Sequence, residues 1–337
     1  MQARSAPPLQ TASTPFQPPR WLGNAHAQTL WRKLFPPAAV AQRRERLTLE
    51  DGDFIDIDWA GPPPQDSADS RLAVLLHGLC GSSQSPYIVE LQRALADSGV
   101  ASVAMNFRGC SGEYNLLPRA YHSGVAEDLD EVFTQLQRRH RDHKFLFAGY
   151  SLGASVLLNW LANRGESARG MRAAAVSTPF QLALCSQSML TGMSRHYGSY
   201  FVRLLTRDFD AKRRFLEHRA PESAQTLAAL LRQAGPLDTL WDFDDQLTAP
   251  LHGFRGAEDY YLRCSSGSRL SQVQARTLLL QSADDPLIPP AALPTDRDLG
   301  SRTELELSRQ GGHVGFIARG ARPWLETRVA QFLLGSD

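Results

Sequence analysis

The fold is decided by the stretch Lys144-Phe-Leu-Phe-Ala148-Gly149-Tyr-Ser151-Leu-Gly153, which precedes an Ala- and Leu-rich segment ending at Asn163. Its first five residues are typical of a buried strand, and the segment after it is typical of a helix. A serine with a glycine two positions to either side lies on a sharp turn, where larger side chains would collide with it. The helix N-terminus at this turn favours developing negative charge. This context, more than the common G-x-S-x-G pentapeptide, predicts that Ser151 is a nucleophile.

Strands and helices alternate on both sides of this stretch. Apolar runs predict further buried strands at residues 72–76, 100–106, 171–177, 276–281 and 303–307. Helical periodicity is found at residues 27–34, 86–97, 125–139 and 324–334. Two alternating runs, 43–49 and 54–59, flank an acidic-Gly turn and predict a hairpin. The pattern predicts an α/β fold with a mostly parallel central sheet flanked by helices.

One long segment interrupts this alternation. Residues 178–275 contain no buried-strand pattern, whereas 200–216, 221–234 and the region around Trp241 are typical of helices. We therefore expect a core formed by residues 20–177 and 276–337, with 178–275 inserted as a helical cap. Residues 1–19 are rich in Pro, Ser, Thr, Gln and Ala, lack the pattern of a signal peptide, and are expected to form a loosely ordered leader.

A serine nucleophile needs a base and a carboxylate that orients it, in the chain order Ser, acid, His for this topology. Of the later histidines, His313 alone follows the last predicted strand in a glycine-rich loop; the others, His196, His218 and His252, fall in the insertion. The acid is predicted to be Asp285, because Ile288 and Pro289 follow it at the usual spacing. Asp284 misses that spacing by one residue and is expected to face solvent or cap the turn.

Backbone N–H groups are expected to stabilise the oxyanion. One comes from Leu152, which follows the nucleophile, and the other from Leu79, in the loop after the first buried strand. His77 in that loop precedes Ser151 and is predicted to be structural. Arg108 is expected to bind a loop carbonyl or carboxylate, and Ser123 to cap the following helix. His122 lies near the site in this interpretation but is not predicted to be catalytic.

Composition limits the classes of partner. The 36 basic and 35 acidic residues give a net charge of +1, so there is no global field to attract nucleic acid or anionic lipid. No apolar run approaches the ~20 residues that span a bilayer. The four cysteines lack zinc-site spacing and suit free thiols in a reducing cytoplasm, where we expect the protein to reside. No metal or organic cofactor is predicted.

Several motifs together resemble the YheT-like α/β-hydrolases, a branch related to the eukaryotic abhydrolase-domain proteins. They are Asn106-Phe-Arg-Gly-Cys-Ser-Gly-Glu113, Tyr121-His-Ser-Gly124, the Ser151 pentapeptide, Pro18-Pro-Arg-Trp-Leu22 with His26-Ala-Gln-Thr29, and Phe243-Asp-Asp245 through Tyr260-Tyr261. The resemblance implies the α/β-hydrolase fold, a cap containing residues 243–261, and Ser151, Asp285 and His313 at the positions of the triad. Ala27 departs from the pattern, which has a larger apolar residue there.

The resemblance also implies carboxylester hydrolysis through an acyl-enzyme, on a small-molecule or lipid ester. Acyl transfer to an alcohol uses the same triad, and a peptidase is formally possible for the same reason. A non-catalytic binding module on this fold is a further alternative, since fold alone does not determine function. The sequence leaves these alternatives open.

Overall fold

The computed structural model describes residues 15–64, 70–320 and 323–335, and these contain one eight-stranded sheet. The strands are β1 (Arg43–Thr48), β2 (Phe54–Ala60), β3 (Arg71–Leu76), β4 (Ala101–Met105), β5 (Lys144–Tyr150), β6 (Arg172–Val176), β7 (Arg276–Ser282) and β8 (Thr303–Ser308). Their order is β1-β2-β4-β3-β5-β6-β7-β8, with β1, β2 and β4 paired antiparallel and the rest parallel. The predicted hairpin and the mostly parallel sheet are confirmed.

Helices connect the strands and cover the sheet. The first four are α1 (Ala25–Leu34), α2 (Pro86–Asp97), α3 (Ala126–Arg139) and α4 (Leu152–Arg164). Between β6 and β7 the chain forms α5 (Leu182–Ser188), α6 (Arg195–Leu216), α7 (Pro221–Gln233), α8 (Leu240–Phe243), a π-helical turn (Asp244–Thr248), α9 (Ala249–Leu251) and α10 (Ala257–Cys264). The last helix is α11 (Trp324–Leu334). Residues 178–275, described throughout, contain no strand.

Two helix layers bury the two faces of the sheet. Apolar side chains of α2 and α11 cover one face, among them Ile88, Leu91 and Val329, all with less than 1% of their surface exposed. Side chains of α3 and α4, such as Phe133 and Trp160, cover the other face. Burial on both faces explains why the central strands are nearly continuous apolar runs. The carboxyl ends of the parallel strands are thereby held in a fixed arrangement, and the loops that follow them carry the polar residues predicted above.

The start of α3 differs from the prediction. The helix begins at Ala126 with Val125 as its N-cap, and no side chain caps it, so the assignment of Ser123 was wrong. The Ser123 N–H instead donates to the Tyr260 hydroxyl at 2.9 Å, since Ser123 lies in the turn before the helix. Arg108, at the turn after β4, forms a bidentate ion pair with Asp128 of α3 at 2.8 Å for both bonds. Of the two partners expected for Arg108, the carboxylate is the one observed.

Other sequence predictions concern the chain as a whole. Residues 1–14 of the expected leader lie outside the described residues, and residues 15–19 form no helix or strand. No helix in the described part of the chain is long and apolar enough to cross a bilayer. All four cysteines are free thiols.

Candidate active site

Ser151 occupies a strained turn between β5 and α4. Its φ of +53° lies in the left-handed region, and its N–H donates to Val176 O on the neighbouring strand at 2.8 Å. A Cβ on Gly149 would lie 2.6 Å from Gly153 O, and one on Gly153 would collide with His77 O. Both glycines are therefore required sterically, although the collisions are with the backbone of Gly153 and His77 and not with the serine itself. The turn lifts the Ser151 hydroxyl out of the sheet.

Three side chains from three separate loops form one hydrogen-bonded chain. His313 Nε2 is 2.9 Å from Ser151 Oγ, and His313 Nδ1 is 2.8 Å from Asp285 Oδ2. The Asp285 side chain is buried, and its Oδ1 accepts the N–H groups of Leu287 and Ile288 at 2.9 and 3.2 Å. The arrangement can orient an imidazole and take a proton from a serine hydroxyl. Asp284 has another partner, the N–H of Gly312 at 2.9 Å.

The loop after β3 lies directly against the serine. A Cβ on Gly78 would be only 3.1 Å from the Ser151 Cβ, so glycine allows this close approach. Leu79 and Leu152, the two predicted oxyanion donors, line the same pocket as Ser151. Neither of their N–H groups donates a hydrogen bond to another residue in the part of the chain that the structure describes.

His77 fixes the conformation of this loop. Its Nε2 accepts the Phe107 N–H at 3.2 Å, so its Nδ1 carries the proton and donates to Gly78 O at 2.8 Å. Burial lowers the pKa of His77 to about 4, which keeps the ring neutral near pH 7. The predicted structural role of His77 agrees with these contacts, since both ring nitrogens are used inside the protein.

The loop that carries His313 has an unusual backbone. Gly311, Gly312, Val314 and Phe316 all have positive φ, at 152°, 59°, 55° and 47°. The left-handed region is costly for residues other than glycine, and most of all for a β-branched valine. Such a conformation persists only where the surroundings hold it. The Ser177 hydroxyl accepts the Val314 N–H at 3.0 Å, and the Ser282 hydroxyl donates to Gly312 O at 2.7 Å.

Helix α1 supplies the other contacts to this loop. The Thr29 hydroxyl accepts the His313 N–H at 2.9 Å, Gln28 Oε1 accepts the Ile317 N–H at 2.7 Å, and Arg32 Nε donates to Gly315 O at 3.0 Å. Sequence reasoning missed this role of α1. The available signal was its polar stripe, in which Gln28, Thr29 and Arg32 share one side of a helix at i, i+1 and i+4.

The Ser151 hydroxyl opens into a cavity of about 120 Å³ between the sheet and residues 178–275. Most of its lining is apolar and comes from both parts, including Leu79, Leu182, Met189, Phe201, Leu205 and Ile288. One carboxyl group, that of Asp244, also lines the cavity. It accepts hydrogen bonds from the hydroxyls of Tyr261 and Thr248, both at 2.7 Å. Burial raises the pKa of Asp244 to about 6. The cavity is suited to an apolar group bound next to the serine.

The remaining histidines do not contact Ser151. His122 lines the cavity, but its Nδ1 accepts the Gly124 N–H at 3.2 Å and its ring packs on His252 at 4.6 Å between centroids. His196 and His218 are exposed on α6 and the turn after it. No group of three or more His, Cys, Asp or Glu side chains within the described ranges could hold a metal ion.

Comparisons with known proteins agree with this architecture. A family model described as the alpha/beta hydrolase fold matches residues 73–319. The chain is 37% identical over 327 residues to the candidate esterase YheT of Escherichia coli (strain K12), covering 96% of this chain and 94% of that protein. It is 29% identical over 310 residues to the phospholipase ABHD3 of Mus musculus, covering 90% of this chain and 73% of the other. The solved esterase Pf2001 of Pyrococcus furiosus shares the fold at a TM-score of 0.55 and 16% identity, over 96% of this chain and 98% of that one.

Proposed function

The chain belongs to the α/β-hydrolase family, in its YheT-like branch, and from this premise we propose that it is a serine esterase that cleaves carboxylic esters. The observation that carries the proposal is the hydrogen-bonded chain from Ser151 through His313 to Asp285, with bonds of 2.9 and 2.8 Å at the opening of an apolar cavity. The name of YheT as a candidate esterase and that of ABHD3 as a phospholipase support an ester as the substrate.

In the proposed mechanism Ser151 Oγ attacks the ester carbonyl carbon while His313 Nε2 takes the hydroxyl proton. Asp285 Oδ2 accepts a hydrogen bond from the His313 Nδ1–H and, remaining ionised, stabilises the imidazolium. The N–H groups of Leu79 and Leu152 stabilise the oxyanion, and one such donor typically contributes about 3 kcal/mol. His313 returns its proton to the departing alcohol, which leaves an acyl-enzyme.

Water completes the cycle. His313 takes a proton from the water as its oxygen attacks the acyl carbonyl, and it then returns that proton to Ser151 Oγ as the carboxylic acid is released. Ester and water are consumed, and acid and alcohol are produced. No metal or organic cofactor enters these steps.

We further propose that residues 178–275 act as a cap on a core of residues 20–177 and 276–337. The side chains that α5 and α6 contribute to the cavity, among them Cys185, Phe201 and Leu205, then determine which substrates fit. Their apolar character favours an ester of an aliphatic acid, either a small molecule or a lipid.

The test is hydrolysis of p-nitrophenyl esters from acetyl to palmitoyl by the wild type, Ser151→Ala and a control, Ser98→Ala. We expect Ser151→Ala to lower kcat roughly a thousandfold or more, because the nucleophile is removed. Ser98 is exposed at the end of α2, so its variant should retain wild-type activity. A fluorophosphonate probe should label the wild type and not Ser151→Ala. A folded wild type that hydrolyses none of the esters and is not labelled would contradict the proposal.

A further inference from the structure

Helix α1 buries its polar side and exposes its apolar side, which is the reverse of an ordinary surface helix. Its buried residues are Gln28 and Arg32, whereas Leu30 and Leu34 are 42% and 67% exposed. A surface helix normally turns its apolar stripe to the core and its polar face to water. Because the polar side of α1 is used to hold the His313 loop, its apolar side is left outside.

The outer side of α1 continues into a cluster of aromatic rings. Trp31 packs on Trp21 at 5.1 Å and on Phe35 at 4.3 Å between centroids. Trp21 is 69% exposed and Phe35 is 59% exposed. We call Trp21, Leu30, Trp31, Leu34 and Phe35 the aromatic patch. Contiguous exposed apolar surface of this kind marks a binding surface, unlike single exposed residues.

Positive charge accompanies the aromatic patch. Residues 20–35, which contain the whole aromatic patch, include Arg20, Arg32 and Lys33 and no Asp or Glu. Arg32 is neutralised by Glu90 and Glu326, and Arg44 by Asp58. Arg20 and Lys33 stay exposed and directly adjoin Trp21 and Leu34 in sequence. Tryptophan and phenylalanine beside basic residues form the pattern of a surface that inserts into the interface of an anionic bilayer.

The aromatic patch lies beside the helix that lines the cavity. Lys33 Nζ donates to the Tyr200 hydroxyl at 2.7 Å, and His26 Nδ1 is 3.1 Å from the Tyr197 hydroxyl. Tyr197 and Tyr200 belong to α6, and the next residue, Phe201, lines the cavity. A surface bound by α1 would therefore be close to the side chains that receive the substrate.

We propose that the aromatic patch binds the surface of an anionic lipid bilayer and so places the cavity next to acyl chains held in the membrane. Binding itself does not depend on the proposed ester hydrolysis, whereas withdrawal of a lipid ester from the bilayer rests on it. Residues 1–14 are a poor alternative occupant, because Met1 and Leu9 are their only large apolar side chains. The local charge favours an anionic lipid over an uncharged protein surface.

The experiment is flotation of the full chain with vesicles of phosphatidylcholine alone and with vesicles that also contain the anionic lipid phosphatidylglycerol. We expect the wild type to float with the anionic vesicles and to bind more weakly at high salt. The double variant Leu34→Ser/Phe35→Ser should bind the anionic vesicles at least about tenfold more weakly than the wild type, since two apolar side chains no longer insert. Lys33→Glu should also weaken binding. The matched control is Leu262→Ser/Leu307→Ser, which changes two exposed leucines elsewhere, at 74% and 48% exposure.

Two further readouts separate the possible outcomes. Leu34→Ser/Phe35→Ser and its control should both hydrolyse p-nitrophenyl acetate as fast as the wild type, because none of these four side chains lines the cavity. An inactive wild type would contradict the proposed function and leave the vesicle result to stand. A wild type that ignores anionic vesicles, or variants that bind as well as it does, would overturn the membrane proposal. The membrane proposal would also be overturned if sedimentation velocity showed that the wild type is a dimer and the double variant a monomer, while neither binds vesicles.

Discussion

Two adjacent carboxylates follow β7, and their partners differ. Asp285 Oδ2 faces the Nδ1 of His313 while its Oδ1 is held by two backbone N–H groups, so the carboxylate is fixed in orientation before any substrate arrives. Asp284 instead accepts the Gly312 N–H, one residue before the histidine. In our proposal Asp285 orients the ring and Asp284 supports the backbone that carries it.

Asparagine at each position distinguishes the two. Asp285→Asn should lower kcat roughly 10³- to 10⁴-fold, because the amide favours the wrong tautomer of His313. Asp284→Asn keeps an oxygen that can accept the Gly312 N–H, so kcat should stay within about tenfold of the wild type. The measurement is steady-state hydrolysis of p-nitrophenyl butyrate, with thermal melts to show that both variants fold. Equal losses of kcat in the two variants would contradict the assignment of the acid.

At the scale of elements, α1 and the loop at residues 311–317 form a unit. The loop contains positive φ values at Val314 and Phe316, which are unfavourable for those residues in isolation. Thr29 and Gln28 bind its backbone at two points, on either side of the strained residues. We infer that Thr29 is a positioning residue that acts on the base through the backbone of His313.

Thr29→Val tests this role, because valine has nearly the same shape and lacks the hydroxyl that accepts the His313 N–H. We expect kcat to fall roughly tenfold with KM nearly unchanged, since a small displacement of the base affects the chemical step more than binding. Thr29→Ser restores the acceptor and should restore most of kcat. A serine variant as impaired as the valine variant, or a rise of KM with kcat intact, would argue that Thr29 only packs against the loop.

Local sequence signals explain which elements could be predicted. The helices at Pro86–Asp97 and Trp324–Leu334 have the predicted bounds, because apolar periodicity and flanking Pro or Gly are local features. The capping role of Ser123 was wrong because α3 begins at Ala126 with Val125 as its N-cap, two residues after Ser123, and helix ends are poorly defined by local propensity. The role of α1 was missed for a different reason, since Thr29 and His313 are 284 residues apart in the chain. The polar stripe of α1 indicates that this side of the helix has polar partners, but a single sequence does not identify partners at such a separation.

On the scale of the whole molecule, the cavity exists only where the sheet and residues 178–275 meet. Leu79 and Ile288 come from loops after β3 and β7, whereas Phe201 and Leu205 lie one turn apart on α6. A volume of about 120 Å³ is somewhat smaller than a 150 Å³ cavity that accepts benzene. In the form described here the protein should therefore prefer short to medium acyl chains.

Phe201→Ala should shift that preference towards longer chains. Removal of the phenyl ring extends the cavity along α6, and each methylene group newly buried there contributes about 0.8 kcal/mol, or close to fourfold in kcat/KM. We expect the ratio of kcat/KM for p-nitrophenyl octanoate to that for the butyrate to rise at least about tenfold, on the reasoning that two or more methylenes are accommodated. The control is Phe215→Ala on the same helix, whose ring packs on Tyr114 at 5.5 Å and does not line the cavity. If both variants keep the wild-type profile, α6 does not contact the acyl chain, and the acyl group must bind elsewhere along the cavity. A shift confined to Phe201→Ala would instead show that α6, the helix that α1 contacts, limits the length of the acyl chain that the cavity accepts.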